Sequence, residues 1–168
     1  MSIIGRLLRP SRTPVDAVVD SVMAAMPTSC DGAGVSAVVA AGREVCGEEV
    51  RVEMRSQPPG RYGMCARTPD GHIIYVDPDL PGDLREHTVL HELGHVLLGH
   101  HDTAHSAHDD RLLSLLMGGD AQQTCVVPHF REWAQREADA ERFAATVSRR
   151  LRRGMTTQRQ SRLDEAFG

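Results

Sequence analysis

Five residues near the middle of the chain constrain its fold more than any other stretch. His91, Glu92 and His95 form the pattern His-Glu-x-x-His, and residues four apart lie on the same face of an α-helix. Apolar residues surround the pattern at helical spacing, namely Val89, Leu90, Leu93, Val96 and Leu97. Two histidines and a glutamate in so apolar a segment are costly to bury without partners. The pattern therefore predicts a helix from near Asp83 to about Gly99, with its polar groups held by other parts of the protein.

The spacing of these polar residues suits a metal ion. Two imidazoles one helical turn apart can reach one cation, each from a nitrogen at about 2.0–2.1 Å. Glu92 lies about 100° round the helix from His91, so it flanks the ion and can take a proton from the attacking water. We therefore predict that His91 and His95 are metal ligands and that Glu92 is a general base, as in zinc peptidases.

A catalytic zinc needs a third protein ligand, and two residues are candidates. His101 stands where a longer motif has its third histidine, but that motif requires glycine at the position of Leu98. His100 and His101 are therefore predicted to be exposed residues at the helix end. The other candidate is Glu137, whose carboxylate would complete a His₂Glu set, although it could instead be a solvated helix charge. One turn later, Glu141 could hold the outer nitrogen of a ligating histidine.

The N-terminal half predicts two helices followed by strands. Thr13 is typical of a helix N-cap with Pro14 at the first helical position, and a second helix runs from about Gly34 to Val45. Alternating and β-branched residues predict three strands, at 50–55, 62–67 and 72–76. The Asp70-Gly71 dipeptide predicts a hairpin turn between the last two strands.

The C-terminal half is predicted to be helical. An apolar run at 112–117 indicates a short helix, and a long helix runs from near Phe130 to about Arg153, where Gly154 ends it. The long helix carries an apolar stripe among Ala138, Ala140, Phe143, Ala144 and Val147. We expect this stripe to pack on the His-Glu-x-x-His helix, with the small Ala140 allowing close approach.

Together these elements predict an α+β fold, a small three-stranded sheet packed against a helical bundle that carries the metal. A single domain is predicted at 14–154, between a flexible arm at 1–13 and a polar tail at 155–168. The start of the chain does not read as a secretory signal, and no apolar stretch approaches the ~20 residues that cross a bilayer. We therefore expect a cytoplasmic protein with no membrane association.

The net charge and the cysteines bear on nucleic-acid binding and on disulfide formation. The net charge of −4 gives no support to nucleic-acid binding. The four cysteines form no Cys-x-x-Cys pair, and we expect half-buried, reduced thiols.

The two helical motifs resemble those of the ImmA/IrrE metallopeptidase family. That family combines the sequence HELGH with a later helix that reads E-x-x-A-(N/D)-x-F-A. Glu137, Ala140, Phe143 and Ala144 match the second motif in register, and the resemblance covers roughly residues 45–150. The segment between the two motifs is long for the family and contains the additional apolar run.

The resemblance implies a zinc-dependent endopeptidase, with Mn²⁺ as the alternative ion. Its metal ligands would be His91, His95 and Glu137, and its general base would be Glu92. Glu141 stands where the family has Asn or Asp. Members of the family are often encoded beside a helix-turn-helix repressor, and several cleave that repressor after stress. The resemblance therefore implies a transcriptional repressor as the partner. The alternative is a catalytically silent, metal-bound module that acts on its partner by docking.

Two aspects of substrate binding are left open by the sequence. Tyr62, Tyr75, His72 and His129 could each stabilise the oxyanion of a peptide intermediate, but such residues are more often packed aromatics or surface histidines, and none is assigned. The strand at 72–76 leads into the metal helix. If this strand is at the edge of the sheet, it could bind an extended substrate by β-augmentation. The sequence supports equally well an ordinary edge strand that the protein itself covers.

Overall fold

The computed structural model describes residues 13–27, 34–100 and 126–167, which form four helices and three strands. The helices are α1 (Pro14–Ala25), α2 (Val35–Cys46), α3 (Gly82–Leu97) and α4 (Val126–Phe167). The strands are β1 (Val50–Met54), β2 (Gly63–Thr68) and β3 (Gly71–Val76). These elements confirm the predicted α+β class and its three-stranded sheet. The predicted helix at 112–117, the candidate ligand His101 and most of the predicted arm lie outside the described residues.

Helix α1 begins with a complete capping box. The Thr13 hydroxyl oxygen accepts a hydrogen bond from the Asp16 amide at 3.3 Å, and the Asp16 carboxylate accepts one from the Thr13 amide at 3.1 Å. Pro14 occupies the first turn, as predicted. Asp16 also accepts two hydrogen bonds from Arg142, at 3.0 and 3.1 Å. The same carboxylate therefore caps α1 and joins it to α4.

The sheet has the strand order β1-β3-β2. The central strand β3 pairs in parallel with β1, with Val50 opposite His72, and antiparallel with β2, with Thr68 opposite Gly71. The strand at 72–76 therefore has a neighbour on both sides and cannot be the edge that adds a substrate strand. β2 is an outer strand instead.

The hairpin between β2 and β3 confirms the predicted turn. Pro69 and Asp70 form its two-residue loop, and Gly71 follows with a φ of 129°. A side chain at Gly71 would clash with the carbonyl of Glu49, which accepts a hydrogen bond from the His72 amide at 2.7 Å. Glycine is therefore required here both by its φ and by the close approach of the backbone.

The core is shared by the sheet and all four helices. Its fully buried members include Val19, Val38, Ile74, Leu90, Leu93 and Phe143. Fully burying a side chain of this size contributes about 1.5–3 kcal/mol of transfer free energy. Since α3 lies between the sheet and α4, this core fixes the position of the His-Glu-x-x-His segment.

Helices α3 and α4 cross at Gly94 and Ala140. A Cβ atom at Gly94 would lie 3.2 Å from the Cα of Ala140 and 3.1 Å from Cδ1 of Phe143. Four predicted stripe residues are fully buried, namely Ala140, Phe143, Ala144 and Val147. Ala138 is exposed, so its place in the stripe is wrong. Two residues correspond to about 200° of helix rotation, which puts Ala138 on the face opposite Ala140.

The predicted end of the long helix at Gly154 is also wrong, because α4 continues to Phe167. One glycine costs about 1 kcal/mol relative to alanine in a helix interior, which good helix formers on both sides can offset. No proline follows Gly154 to force an end. Although α4 has 42 residues, neither it nor any other described helix has the apolar length that a bilayer crossing requires.

Candidate metal centre

Two helices bring the three predicted ligands together. The Nε2 atoms of His91 and His95 are 3.1 Å apart on α3. On α4, the Glu137 carboxylate places one oxygen 3.3 Å from Nε2 of His91 and the other 3.3 Å from Nε2 of His95. His95 is buried, while His91 and Glu137 are half-buried. The three side chains form a potential metal-binding triad, as predicted.

The spacing of the triad can be tested against the requirements of a small divalent ion. Two ligand atoms at about 2.0–2.1 Å from an ion, separated by a tetrahedral angle, are about 3.3 Å from each other. The observed separations of 3.1, 3.3 and 3.3 Å agree with that value. Two imidazoles and one carboxylate suit zinc and related transition metals better than magnesium or calcium. The residues present therefore fit such an ion.

The charges of the triad favour a cation as well. Burial alone would raise the pKa of Glu137, but hydrogen bonds from His91 and His95 outweigh it and hold the pKa well below its ordinary value. Burial alone would lower the pKa of His91, but the hydrogen bond to Glu137 and the charges of Glu92, Glu137 and Glu141 together raise it. The site thus presents an ionised carboxylate and an electrostatic environment that stabilises positive charge.

The outer nitrogen of His91 faces Glu141. Its Nδ1 lies 3.6 Å from a Glu141 carboxylate oxygen, which is close to where the sequence predicted that carboxylate. The same oxygen lies 2.9 Å from Nε2 of His87, one turn earlier on α3, and this is its shorter contact. Glu141 therefore lies between two histidines. His87 was missed by the sequence analysis, although its position four residues before His91 put it on the same helical face.

The outer nitrogen of His95 faces His100. The two Nδ1 atoms are 3.1 Å apart, and His100 is half-buried. The prediction that His100 is an exposed residue at the helix end is therefore wrong. The reason is the backbone of Gly99, whose φ of 71° turns the chain back after α3. Burial and the neighbouring charge of His95 lower the pKa of His100 to about 4.

The predicted general base, Glu92, is buried beside the triad. Only 9% of its surface is exposed, and burial raises the pKa of its carboxyl group. The nearby Cys65 thiol on β2 opposes this rise in the pKa of Glu92. A side chain at Gly63 would lie 2.6 Å from Cγ2 of Thr88 and 3.2 Å from Cγ of Glu92. Close packing of β2 on α3 therefore confines Glu92 next to the ligands.

The prediction of half-buried, reduced cysteines is confirmed for two of the four. Cys46 and Cys65 are free thiols and half-buried, as predicted, while Cys30 and Cys125 lie outside the described residues. Burial and the nearby Glu92 charge raise the pKa of Cys65 to about 12. Its contact with Glu92 was missed because it joins residues on a strand and a helix that no local pattern relates.

An open cleft of about 670 Å³ lies over the triad. Its walls are residues 60–67, which include most of β2, together with side chains of α3 and α4. Tyr62 lies in this wall and is 55% exposed. Trp133 on α4 also lines the cleft, and sequence reasoning gave it no role. The cleft can therefore admit an extended chain alongside β2.

The other oxyanion candidates lie elsewhere or outside the described side chains. Tyr75 packs under the guanidinium of Arg55, whose Cζ is 5.1 Å from the ring centroid. His72 is buried and lies 2.9 Å from a carboxylate oxygen of Glu48. The side chain of His129 is outside the described part of the chain. Among the four candidates, Tyr62 is the one that the described structure places in the cleft.

Comparison of the chain with protein-family models, with curated proteins and with solved structures finds no match. The resemblance to the ImmA/IrrE family accordingly remains a prediction from two sequence motifs. Any function must be inferred from the residues of this chain and their geometry.

Proposed function

We propose that this protein is a zinc-dependent endopeptidase of the ImmA/IrrE type that hydrolyses a peptide bond in a specific partner protein. One observation carries the proposal. Ligand atoms of His91, His95 and Glu137 converge at 3.1–3.3 Å from two separate helices, on the floor of an open cleft. The buried carboxylate of Glu92 lines the same cleft, where a hydrolytic base is needed.

Each residue of the centre has a chemical task. His91, His95 and Glu137 would hold the ion. When bound, zinc polarises the scissile carbonyl and lowers the pKa of a water molecule to about 7. Glu92 would take a proton from the attacking water and deliver it to the leaving amine. Burial raises the pKa of Glu92, which makes its carboxylate a stronger base.

The outer edge of β2 is a second reason to propose a peptide substrate. The Tyr62 carbonyl accepts a hydrogen bond from the Asp77 amide at 3.0 Å, which makes this pair a hydrogen-bonded one in the antiparallel ladder. Such pairs alternate along a ladder, so the backbone groups of Gly63, Cys65 and Arg67 face away from β3. They face the side of the sheet where no described strand pairs. A substrate can add there as a further strand, with main-chain hydrogen bonds that hold it extended across the metal centre.

The partner protein follows from the resemblance. A cleft that holds an extended segment requires an exposed loop or linker in the substrate, such as the linker of a helix-turn-helix repressor. We infer a regulatory cleavage of one partner or a few, since a transcriptional repressor is the substrate that the family pattern implies.

The test is the isosteric variant Glu92→Gln. We expect it to bind one zinc per chain like the unaltered protein, because Glu92 is not a ligand. We expect cleavage to fall by about 10²–10⁴-fold, because a positioned acid–base group contributes about that much. The matched control is Glu86→Gln, which makes the same change at an exposed position of α3 outside the cleft.

Cleavage can be measured before the partner is identified. A peptide library prepared by digesting a whole proteome is incubated with zinc-loaded protein, and new N-termini are identified by mass spectrometry. We expect the unaltered protein and the Glu86→Gln control to cleave peptides. We expect Glu92→Gln to lose this cleavage. Equal cleavage by Glu92→Gln would contradict the proposed mechanism. Zinc binding with no cleavage of peptides or of a candidate repressor would favour the docking module instead.

A further inference from the structure

We propose that His100 is a positioning residue that orients His95 toward the metal by accepting a hydrogen bond from its outer nitrogen. This inference rests on the metal centre proposed above and goes beyond its ligands. Nδ1 of His95 lies 3.1 Å from Nδ1 of His100, with the two rings nearly edge to face at 65°. The contact joins a buried ligand to a half-buried residue five positions later in the chain.

The backbone that ends α3 makes this contact. The Leu98 amide donates to the Gly94 carbonyl at 3.0 Å, and the Gly99 amide donates to the Val96 carbonyl at 3.2 Å. Gly99 has a φ of 71°, in the left-handed region where glycine carries no Cβ penalty. The chain therefore reverses after the helix, and His100 packs against His95 instead of continuing into solvent.

The chemistry of imidazole assigns the direction of the hydrogen bond. A neutral imidazole carries one proton, and a nitrogen that binds a metal must present its lone pair. Nε2 of His95 faces His91 and Glu137, so in the metal-bound protein this nitrogen presents its lone pair and the proton belongs on Nδ1. Two N–H groups cannot face each other at 3.1 Å, so Nδ1 of His100 accepts. His100 thereby fixes both the tautomer and the ring orientation of His95.

Both ligating histidines thus have an outer partner. Glu141 lies 3.6 Å from the outer nitrogen of His91, and His100 lies 3.1 Å from that of His95. In the longer metal motif a glycine turns the chain three residues after the second histidine, and the last histidine of the motif binds the ion. Here glycine comes one residue later, at Gly99, and the turn places a histidine behind the ligand.

Zinc affinity of two variants tests this role. We expect His100→Ala to weaken zinc binding by about 10–100-fold, the usual cost of losing an outer partner of a metal ligand. His100→Asn should restore affinity to within about threefold of the unaltered protein, because the asparagine carbonyl oxygen can accept the same hydrogen bond. Affinity is measured by competition with a chromophoric chelator. Urea unfolding of the metal-free proteins provides the control, and the variants should unfold like the unaltered chain.

The outcomes separate this inference from the proposed function. Zinc binding by His100→Ala within about threefold of the unaltered protein overturns the positioning role and leaves the metal centre intact. Equal weakening by His100→Asn and His100→Ala also overturns it, because only the loss of packing would then matter. If His100→Ala fails to fold, a Gly99→Ala variant that keeps full zinc affinity contradicts the proposal. An unaltered protein that binds no zinc refutes the metal centre itself.

Discussion

The crossing of α3 and α4 makes Gly94 the position where the smallest substitution should have a measurable effect. A Cβ atom there would lie 3.1 Å from Cδ1 of Phe143, 3.2 Å from Cα of Ala140 and 3.3 Å from the Ala140 carbonyl oxygen. Two of these three atoms belong to the backbone of α4, so they move only if the helices separate by a few tenths of an ångström. Overpacking of this kind costs about 1–3 kcal/mol.

The Gly94→Ala variant also gains helix propensity, about 1 kcal/mol. The net expectation is a loss of zero to about 2 kcal/mol in the free energy of unfolding. Gly154→Ala is the matched control, since Gly154 also lies inside a helix and a Cβ there would meet nothing within 4 Å. It should gain up to about 1 kcal/mol. The difference between the two variants isolates the cost of the contact, about 1–3 kcal/mol.

Urea unfolding of the metal-free proteins measures that difference. We also expect Gly94→Ala to bind zinc more weakly, because Gly94 adjoins His95 and Ala140 lies one turn after Glu137. A Gly94→Ala protein as stable as Gly154→Ala would refute the inference that the two helices are in close contact at this crossing.

Two further predictions follow from perturbed titrations. Hydrogen bonds from the Thr13 backbone and side chain, and the charge of Arg142, lower the pKa of Asp16 below 3.8. Its stabilising contribution is therefore present above that pH and is lost as the pH falls through the depressed value. Urea unfolding should show that Asp16→Asn is less stable than the unaltered protein at pH 7. The difference in their free energies of unfolding should be smaller near pH 3. A difference that does not change with pH would contradict the capping role. Burial and the Glu92 charge raise the pKa of Cys65 to about 12, so at pH 8 iodoacetamide should modify Cys65 much more slowly in the folded than in the urea-unfolded protein. Equal rates, measured by mass spectrometry of peptides, would show that the thiol is not buried.

Features encoded by local sequence were predicted well. The N-cap at Thr13 and the extent of α3 depend on residues within one or two helical turns of each other, and their patterns identify them directly. Convergence of Glu137 with His91 and His95 is a long-range property. The small, apolar stripe on α4 predicted that the two helices pack together, but it left open whether Glu137 is a ligand or a solvated charge. The upstream His-Glu-x-x-His pattern and the family resemblance selected Glu137.

Most features that sequence reasoning missed depend on the direction of the backbone or on contacts between different elements of the fold. Strand order places β3 between β1 and β2, and no pattern within the strand at 72–76 distinguishes a central strand from an edge. His100 returns to His95 through the left-handed backbone of Gly99, which sequence analysis treated as the end of the helix. The contact of Cys65 with Glu92 requires the packing of β2 on α3. In each case the feature is determined by the direction of the chain or by a tertiary contact, and the spacing of residues in the sequence does not predict it.

The central claim is that His91, His95 and Glu137 bind one divalent ion, and zinc stoichiometry tests it most directly. Metal-free protein is incubated with excess zinc, dialysed and analysed by elemental mass spectrometry. We expect one zinc per chain in the unaltered protein, in His101→Ala and in Glu132→Ala, the control at an exposed position on α4. Glu137→Ala should lose most of its zinc. Full retention of zinc by Glu137→Ala, or its loss from His101→Ala, would contradict the ligand set.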